Sequence, residues 1–251
     1  MNERIYIQNV NIHNITSTEA LEYIEHFLSG DKKKTIGYVN AHCINVARHD
    51  EDYRDVINSF DLVIPDGIGV SIAGFLKNCP VAAKLSATDF FSRCIEEFHS
   101  QGKKFFLVGA KPEIITKVCS NLREKYPEIQ ISGYHHGYDA ESNNEEICRQ
   151  INACKPDIVL VAMGAPKQEK WISNNKDKID AKVFIGVGGL FDFIAGANKR
   201  APIFMRKTGL EWVYRIYQEP KRMWKRYILG NPKFLYYAVL ETMKGYRKSP
   251  K

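Results

Sequence analysis

The sequence predicts an α/β fold, a mainly parallel sheet flanked by helices, followed by a small helical appendage at the C-terminus. The sheet is indicated by short apolar runs that alternate with amphipathic stretches up to about Ala195, as in sheets whose parallel strands are joined by helices. The appendage is indicated by the basic, aromatic and helical pattern that replaces this alternation from there on.

The strands and helices follow from hydrophobic periodicity and end signals. The strands are predicted at Thr35–Val39, Leu62–Ile64, Phe105–Val108, Ile158–Ala162 and Val183–Val187. The helices are predicted from Thr16 to about Leu28, then at Ala87–Phe98, Pro112–Lys125, Glu145–Ala153 and Pro166–Asn174. The alternating Ile5, Ile7, Val10 and Ile12 predict a small hairpin apart from the main sheet.

Composition and cysteine usage exclude several classes of protein. With 44% hydrophobic and 26% charged residues over 251 positions, the chain is typical of a globular protein and not of a disordered one. The apolar runs are strand-sized, and the start lacks a signal-peptide pattern, so we expect neither a transmembrane helix nor export. Six cysteines show no CxxC pair and no zinc-like spacing, which favours a reducing, cytosolic compartment.

The charge is concentrated at the C-terminus. Residues 195–251 hold 14 Lys/Arg against 3 Asp/Glu, whereas the preceding residues hold 22 against 26, for an overall charge of +7. Such a basic segment attracts phosphates, nucleic acid or an anionic bilayer. We therefore predict two domains, residues 1–195 and residues 196–251.

The appendage pattern predicts two or three amphipathic helices over Arg206–Gly245, broken at Pro220 and at Gly230–Pro232. If the helix continued through Pro220, three arginines would share one face: Arg215, Arg222 and Arg226. Arginine binds phosphate through two parallel hydrogen bonds, and Trp and Tyr suit the bilayer interface. The pattern fits a helix lying on a membrane, a solvated charged face above an aromatic core, or a nucleic-acid-binding surface.

Polar turns follow the predicted strands, at the edge of a parallel sheet where ligands bind. These turns are Asn40–His42, Pro65–Gly69, Gly109–Pro112, Met163–Glu169 and Gly188–Asp192. Two of the glycine-containing turns, 109–112 and 186–189, would present backbone N–H groups to a phosphate or simply allow a tight turn. The shared edge predicts a ligand site there.

Asp66 is the main candidate for chemistry at this edge. It ends a buried strand, with Pro65 before it and Gly67 after it. A carboxylate in this place suits a general base that takes a proton from a hydroxyl, but it equally suits an N-cap for a helix starting near Ile68.

Two amides and two histidines are further candidates. Asn40 and Gln168 would hydrogen-bond sugar hydroxyls or a pyrophosphate, or else the loop backbone. His135 and His136 are adjacent, and neighbouring side chains diverge in most backbones, so we expect no metal ion. The glycine turns match neither the dinucleotide nor the Walker pattern, and we expect no cofactor.

Several motifs, in order along nearly the whole chain, carry a resemblance. They are Asn40–Ala41, Pro65–Gly69, Ala87–Phe90, Gly133–Tyr138, Met163–Trp171, Gly186–Asp192, Arg200–Pro202, Gly209–Arg215, Glu219–Pro220 and Arg226–Tyr227. With these motifs the chain resembles the WecG/TagA/CpsF glycosyltransferases, which act in cell-surface polysaccharide and teichoic-acid synthesis.

The resemblance implies an inverting, metal-independent transfer from a UDP-sugar, often UDP-N-acetylmannosamine, to a sugar linked to polyprenyl diphosphate. It also implies a Rossmann-like fold whose C-terminal appendage docks on the inner face of the membrane. We therefore expect a cytoplasmic enzyme, peripherally bound to that membrane, with these two substrates as partners and no nucleic acid. Its apolar appendage would permit self-association into a homo-oligomer.

The resemblance also implies roles for individual residues. Asp66 resembles the base that deprotonates the acceptor hydroxyl. Asn40 and Gln168 match groups around the donor sugar and diphosphate, and Tyr138 and Asp192 match nucleoside contacts. Arg215, Arg222 and Arg226 match appendage arginines that hold phosphates.

The Ala87–Phe90 region adds substrate-binding candidates and departures from the family pattern. Asp89 and Lys84 are carried over as substrate-binding positions. Lys84 stands where the family usually has Arg, Ala87 where it has Gly, and Tyr38 where it often has a small hydroxyl residue, so the donor sugar is left open.

Two other classes of function remain as alternatives. A nucleic-acid-binding protein would use the basic C-terminal segment. A nicotinamide-dependent oxidoreductase or epimerase would use the sheet, although the sequence lacks the glycine-rich dinucleotide fingerprint of such enzymes.

Overall fold

The computed structural model describes residues 4–82, 86–140 and 142–243, except for the side chain of Lys207. Its main sheet has six strands in the order β4-β3-β8-β7-β5-β6, and a separate two-stranded sheet pairs β1 with β2. The registered pairs β3–β8, β8–β7, β7–β5 and β5–β6 are all parallel. The predicted α/β class, with a mainly parallel sheet flanked by helices, is therefore confirmed.

The strands are short and mostly buried, as their apolar runs predict. They are β1 (Arg4–Ile7), β2 (Val10–His13), β3 (Lys34–Val39), β4 (Leu62–Pro65), β5 (Lys104–Gly109), β6 (Gln130–His135), β7 (Ile158–Ala162) and β8 (Val183–Gly186). The hairpin β1–β2 is antiparallel and stands apart from the main sheet, as predicted. Strand β6 is the one that the sequence did not predict, because it has polar or small residues at most positions and is only partly buried.

The helices between the strands agree with the predicted ones to within two residues at each end. They are α1 (Ser17–Ser29), α5 (Ala87–Ser100), α6 (Pro112–Lys125), α7 (Asn144–Cys154) and α8 (Lys167–Asn175). Three further short helices follow strand ends: α2 (Ala41–Ala47), α4 (Gly67–Leu76) and α9 (Leu190–Ile194). Helix α3 (Glu51–Asn58) follows α2.

The C-terminal residues are helical, with one predicted break confirmed and one wrong. The helices are α10 (Ile203–Thr208), α11 (Glu211–Gln218), α12 (Pro220–Trp224) and α13 (Gly230–Met243), with a π-helical turn at Lys225–Leu229. Glu219 leaves the helical conformation (φ −131°, ψ 63°), so the chain breaks before Pro220. At Gly230 the backbone stays helical (φ −71°, ψ −43°), so α13 follows directly on the π-helical turn without a break.

The chain divides into two compact units. The first unit holds residues 1–17, 38–87 and 199–251, and the second holds residues 18–37 and 88–198. The predicted division into residues 1–195 and 196–251, with a membrane-docking role for the second part, stays a prediction.

In the first unit the C-terminal helix α13 packs against α2 and α4. Gln8 of the hairpin donates from Nε2 to the backbone oxygen of Phe234, 3.0 Å away. Lys77, which is buried, pairs its Nζ with Glu241 Oε1 at 2.7 Å. The guanidinium of Arg48 lies over the ring of Tyr237, 3.2 Å from its centroid. Residues near the two ends of the sequence therefore share one core.

The second unit carries the strands β5 to β8 and the helices that cover them. Its core includes strand residues such as Phe106, Leu160 and Phe184, all essentially inaccessible to solvent. In the parts of the chain that the structure describes, no helix is both long and apolar enough to cross a membrane.

Candidate active site

Asp66 lies where β4 ends and α4 begins. Its backbone N–H donates to Val39 O at 2.8 Å, which joins it to the end of β3. Gly67 then adopts φ +78°, a left-handed conformation that costs an L-residue more than glycine, and this lets the chain turn into α4.

The carboxylate of Asp66 does not cap α4, although the residue occupies the N-cap position. Its Oδ1 accepts from the backbone N–H of Ala87 at 3.0 Å, at the start of α5. Its Oδ2 accepts from Asn40 Nδ2 at 3.1 Å. The alternative in which the side chain of Asp66 caps α4 is therefore wrong, and the carboxylate is oriented by two other segments.

Asn40 is the N-cap residue of α2, and this role fixes the direction of its amide. Its Oδ1 accepts from the backbone N–H groups of His42 and Cys43, at 3.1 and 3.2 Å. With its oxygen occupied by two donors, Asn40 presents Nδ2 to Asp66. Asn40 thus caps α2 and also positions the candidate base.

Arg226 brings a positive charge to this cluster from the C-terminal helices. Burial lowers its pKa, but the acidic groups around it, Tyr227 first and then Tyr38, Cys43 and Asp66, act in the opposite direction, and its pKa is raised overall. Its Nε is buried and has no hydrogen-bond partner among the described residues. Arg226 therefore lies close enough to Asp66 to interact with it and keeps unused donor capacity.

His42 adds a neutral ring beside Arg226. Burial and the charge of Arg226 lower the pKa of His42 from 6.5 to about 4. At neutral pH the imidazole is uncharged, so it offers a hydrogen-bond donor and an acceptor without competing with Arg226 for anions.

The other two predicted arginines lie elsewhere on the C-terminal helices. Arg215 is half-buried in α11, and Arg222 is exposed in α12, where its Nη2 pairs with Glu219 Oε2 at 2.7 Å. Arg215, Arg222 and Arg226 would share one helix face only if the helix continued through Pro220. The helix breaks at Glu219, so the three arginines do not share one helix face. The proximity of Arg226 to Asp66 comes from tertiary packing.

In the second unit, Gln168 has no solvent-exposed surface. Its Oε1 accepts from the backbone N–H groups of Gly164 and Gly188, at 3.2 and 2.9 Å. Its Nε2 donates to Glu169 Oε1 at 2.7 Å. A Cβ atom on Gly186 would lie 2.8 Å from Nε2, so glycine there makes room for the amide. Gln168 therefore joins the loops after β7 and β8 and contacts backbone in this arrangement.

Glu169 is also fully buried. Burial raises its pKa from 4.5 to about 7, against the opposing effect of its hydrogen bonds to Gln168 and to backbone. Its Oε2 has no hydrogen-bond partner among the described residues. The acid is therefore held largely protonated at the pH where Asp and Glu normally carry a charge.

The loops after β5, β6 and β7 meet at Gly137. Its N–H donates to Ala110 O at 3.2 Å, and a Cβ atom there would lie 2.9 Å from Gly109 Cα and 3.1 Å from Met163 Cγ. The next residue, Tyr138, is 71% exposed at this junction. An aromatic ring so placed is available for stacking against a flat ligand.

The remaining predicted substrate-binding residues are spread more widely. Asp192 is half-buried in the first turn of α9, and Asp89 is exposed in the first turn of α5. Lys84 lies outside the described residues.

The glycine turns use much of their N–H capacity internally. Ala110 N–H donates to Ala162 O at 2.9 Å, Val187 N–H to Val161 O at 2.8 Å, and Gly188 N–H to Gln168. These groups are engaged in joining strand ends, which favours the tight-turn alternative at those positions.

His135, His136 and Asp139 form a group with the spacing of metal ligands. Each offers one ligand atom, and the three atoms lie within 4.8 Å of one another. His136 Nδ1 is 3.2 Å and His135 Nδ1 3.7 Å from Asp139 Oδ1. The expectation that the two histidine side chains diverge is wrong, since their ring centroids are 4.8 Å apart. The absence of a functional metal stays a prediction.

Comparison with known proteins agrees with the strand-end chemistry. The model of the "Glycosyl transferase WecG/TagA/CpsF family" matches residues 5–248. The chain belongs to this family. It is accordingly a glycosyltransferase, as the sequence motifs predicted.

Two relatives align with most of this chain, and the alignment covers most of their own length. An N-acetylglucosaminyldiphosphoundecaprenol N-acetyl-β-D-mannosaminyltransferase of Bacillus subtilis (strain 168) is 37% identical over 91% of this chain and 88% of its own length. A protein of the same name from Staphylococcus aureus (strain MW2) is 31% identical over 99% of this chain and 95% of its own length.

The sequence did not single out Glu169 or His42. Glu169 follows Gln168 directly, but nothing in the order of residues indicates that an acid in the first turn of a helix is fully buried. His42 belongs to the Asn40–His42 turn, which was a usable signal. Its partner Arg226, however, is separated from it by most of the chain.

Proposed function

We propose that this glycosyltransferase moves N-acetylmannosamine from its UDP-linked form to the N-acetylglucosamine of a polyprenyl-diphosphate acceptor, with inversion at the anomeric carbon. The proposal is supported by the names of the two relatives, each of which covers about nine-tenths or more of this chain. The nucleic-acid-binding alternative finds no support in the family or the relatives.

The observation that carries the proposal is the orientation of the Asp66 carboxylate. Asn40 and the N–H of Ala87 each occupy one of its oxygens, which fixes the plane of the carboxylate. Asp66 itself remains half-exposed, so each oxygen keeps lone pairs for a further donor. A fixed, accessible carboxylate is the arrangement that general base catalysis requires.

In the proposed reaction, Asp66 removes the proton from the acceptor hydroxyl as its oxygen attacks the anomeric carbon of the donor. The new glycosidic bond forms while the bond from that carbon to the UDP oxygen breaks. The proton ends on Asp66, and the bonding electrons leave with UDP. A single displacement of this kind inverts the configuration at the anomeric carbon.

The negative charge that grows on UDP needs fixed positive charge. We assign this part to Arg226, whose Nε has no hydrogen-bond partner in the described part of the chain, with Arg215 and Arg222 as further phosphate ligands. Since guanidinium groups bind phosphate oxygens in pairs, they would stabilise the leaving diphosphate without a metal ion.

The remaining substrate contacts are proposed from the family pattern. Tyr138 and Asp192 are assigned to the nucleoside, and Asp89 and Lys84 to other parts of the substrates. For Gln168, the buried amide supports an indirect part, in which it fixes the loops after β7 and β8 that would line the donor.

We also propose that the enzyme binds peripherally to the inner face of the cytoplasmic membrane. The first unit, which contains Asp66, holds 19 Lys/Arg and 10 Asp/Glu by sequence, whereas the second holds 17 and 19. An acceptor with a polyprenyl chain stays in the bilayer, so the acceptor-binding unit must reach the surface of the membrane. A net positive charge favours an anionic surface.

The direct test is UDP release from UDP-N-acetylmannosamine with a water-soluble, short-chain prenyl-diphosphate N-acetylglucosamine. We expect turnover with this pair. Matched controls replace the donor by UDP-N-acetylglucosamine, or the acceptor by the same prenyl diphosphate without its sugar. Turnover that is equal with either control would refute the proposed donor or acceptor, respectively.

A further inference from the structure

Helix α4, which begins directly after Asp66, is apolar on its outer face as well as its inner face. Its sequence from Gly67 to Leu76 contains no charged residue, and Ser71 is its one polar side chain. Ile68, Ile72 and Phe75 are 36%, 39% and 74% exposed. Their spacing of four and three residues puts them on one face of the helix, which we call the α4 stripe.

The opposite face of α4 is already used for packing. Val70, Ala73 and Gly74 are buried, and α13 packs against this helix within the same unit. A helix that is apolar all round is normally buried all round, and a surface helix normally has charged residues outside. The α4 stripe is therefore an apolar surface whose exposure to water is unfavourable.

The α4 stripe continues onto the turn between α10 and α11. A Cβ atom on Gly209 would lie 2.7 Å from Ile68 Cδ1, so this turn lies against the start of the stripe. Leu210, the next residue, is 42% exposed. An exposed apolar side chain from a distant segment of the first unit thus adjoins the turn that lies against the stripe.

The charge of the first unit and the position of Asp66 favour an anionic bilayer as the partner. By sequence the unit has an excess of nine positive charges, 19 Lys/Arg against 10 Asp/Glu. Phe75 is nine residues from Asp66, about 14 Å along a helix that rises 1.5 Å per residue. An anionic bilayer fits an apolar stripe within a positively charged unit.

We propose that the α4 stripe inserts into the interfacial region of an anionic bilayer and holds Asp66 at the level where the lipid-linked acceptor presents its sugar. This inference rests on the proposed function, because it requires an acceptor that stays in the membrane. A second copy of the chain fits less well, since three partly exposed side chains offer far less than the ~800 Å² per partner of a typical stable interface.

The test is flotation of the full-length protein with vesicles of phosphatidylglycerol and phosphatidylcholine. We expect the double variant Ile72→Ser/Phe75→Ser to bind these vesicles about tenfold more weakly than the unsubstituted protein, because each replacement removes apolar surface from the interface. Tyr134→Ser, which removes an exposed aromatic side chain from β6 in the second unit, is the matched control and should bind unchanged.

Unchanged binding of the double variant would overturn the proposal. So would a double variant that binds vesicles normally but dissociates an oligomer of the unsubstituted protein in sedimentation velocity, because a second copy would then cover the stripe. If the double variant does not fold, Phe75→Trp replaces it. Its fluorescence should be quenched by brominated lipids beyond that of the unsubstituted protein, and no added quenching would refute insertion.

The proposed function can fail separately from the α4 proposal. Turnover of the water-soluble acceptor by the unsubstituted protein involves no bilayer and tests only the reaction. Flotation involves no substrate and tests only the surface. If the protein transfers the sugar but the double variant binds vesicles normally, the α4 proposal is wrong. If the stripe contributes to vesicle binding but no sugar is transferred, the proposed function is wrong.

Discussion

The Asn40–Asp66 pair in the first unit and the Gln168–Glu169 pair in the second are built in the same way. In each, an amide oxygen accepts two backbone N–H groups and the amide nitrogen donates to a carboxyl group. They differ in exposure, because Asp66 is half-exposed and Glu169 is fully buried. Hydrogen bonding alone therefore does not distinguish a candidate base from a structural acid, and access to substrate does.

The largest effect is expected from removing the exposed acid. Asp66→Asn keeps an acceptor for Ala87 N–H but cannot take up a proton, so we expect kcat to fall by about 10²- to 10⁴-fold, the usual contribution of a general base. UDP release measures it, and thermal unfolding checks that the fold is retained. Undiminished turnover would show that Asp66 is not the general base. Exposure would then no longer separate a catalytic pair from a structural one.

The buried acid should affect stability with a defined pH dependence. Because folding raises the pKa of Glu169 from 4.5 to about 7, its contribution is complete below pH 4.5, is lost as the pH rises to about 7 and is constant above that. The loss is on the order of 3 kcal/mol in the free energy of unfolding. Glu169→Gln should remove this part of the pH dependence.

Denaturant unfolding of Glu169→Gln and of the unsubstituted protein at several pH values measures how the free energy of unfolding depends on pH. Glu128→Gln, at an exposed glutamate, is the matched control and should leave the pH profile unchanged. If the stability of Glu169→Gln depends on pH in the same way as that of the unsubstituted protein, the buried acid does not contribute to the pH dependence of stability.

Arg226→Lys should produce a smaller effect, which tests whether Arg226 acts together with the Asn40–Asp66 pair. Lysine keeps the charge but loses the paired donors of guanidinium, so we expect kcat to fall about tenfold. The same measurement on Arg222→Lys, at an exposed residue paired with Glu219, should show a smaller loss. Equal losses would mean that proximity to Asp66 confers no special role on Arg226.

Arg226→Ala offers a readout that does not depend on turnover. Because the charge of Arg226 helps to lower the pKa of His42 to about 4, its removal should raise that pKa. An NMR titration of the histidine ring measures it, and an unchanged value would place Arg226 away from the cluster.

No effect is expected from metal removal. Although His135, His136 and Asp139 have the spacing of metal ligands, the proposed reaction takes its positive charge from arginine. Treatment with a chelator should therefore leave the rate of UDP release unchanged. A loss that an added divalent cation reverses, and that His136→Ala also produces, would assign a metal to this group.

Much of the architecture could be read from local patterns. The apolar run at Ile158–Ala162 and the proline-initiated helix at Pro112–Lys125 were placed correctly, because strand and helix periodicities are properties of neighbouring residues. Strand β6 was missed for the same reason: Gln130–His135 lacks the apolar run of a buried strand, and its pairing with β5 supplies what the local sequence does not.

The candidate site was predictable as a set of residues but not as an arrangement. The sequence by itself determined that Asp66 follows a buried strand, that the C-terminal residues are basic, and that the motifs are those of one glycosyltransferase family. Only the tertiary structure decided that residues from Lys199 onwards share a unit with residues 38–87. It also decided that Arg226 lies near Asp66 and that Gln168 is buried. The physical reason is that local periodicity specifies which element forms, whereas burial and charge proximity depend on which distant elements pack together.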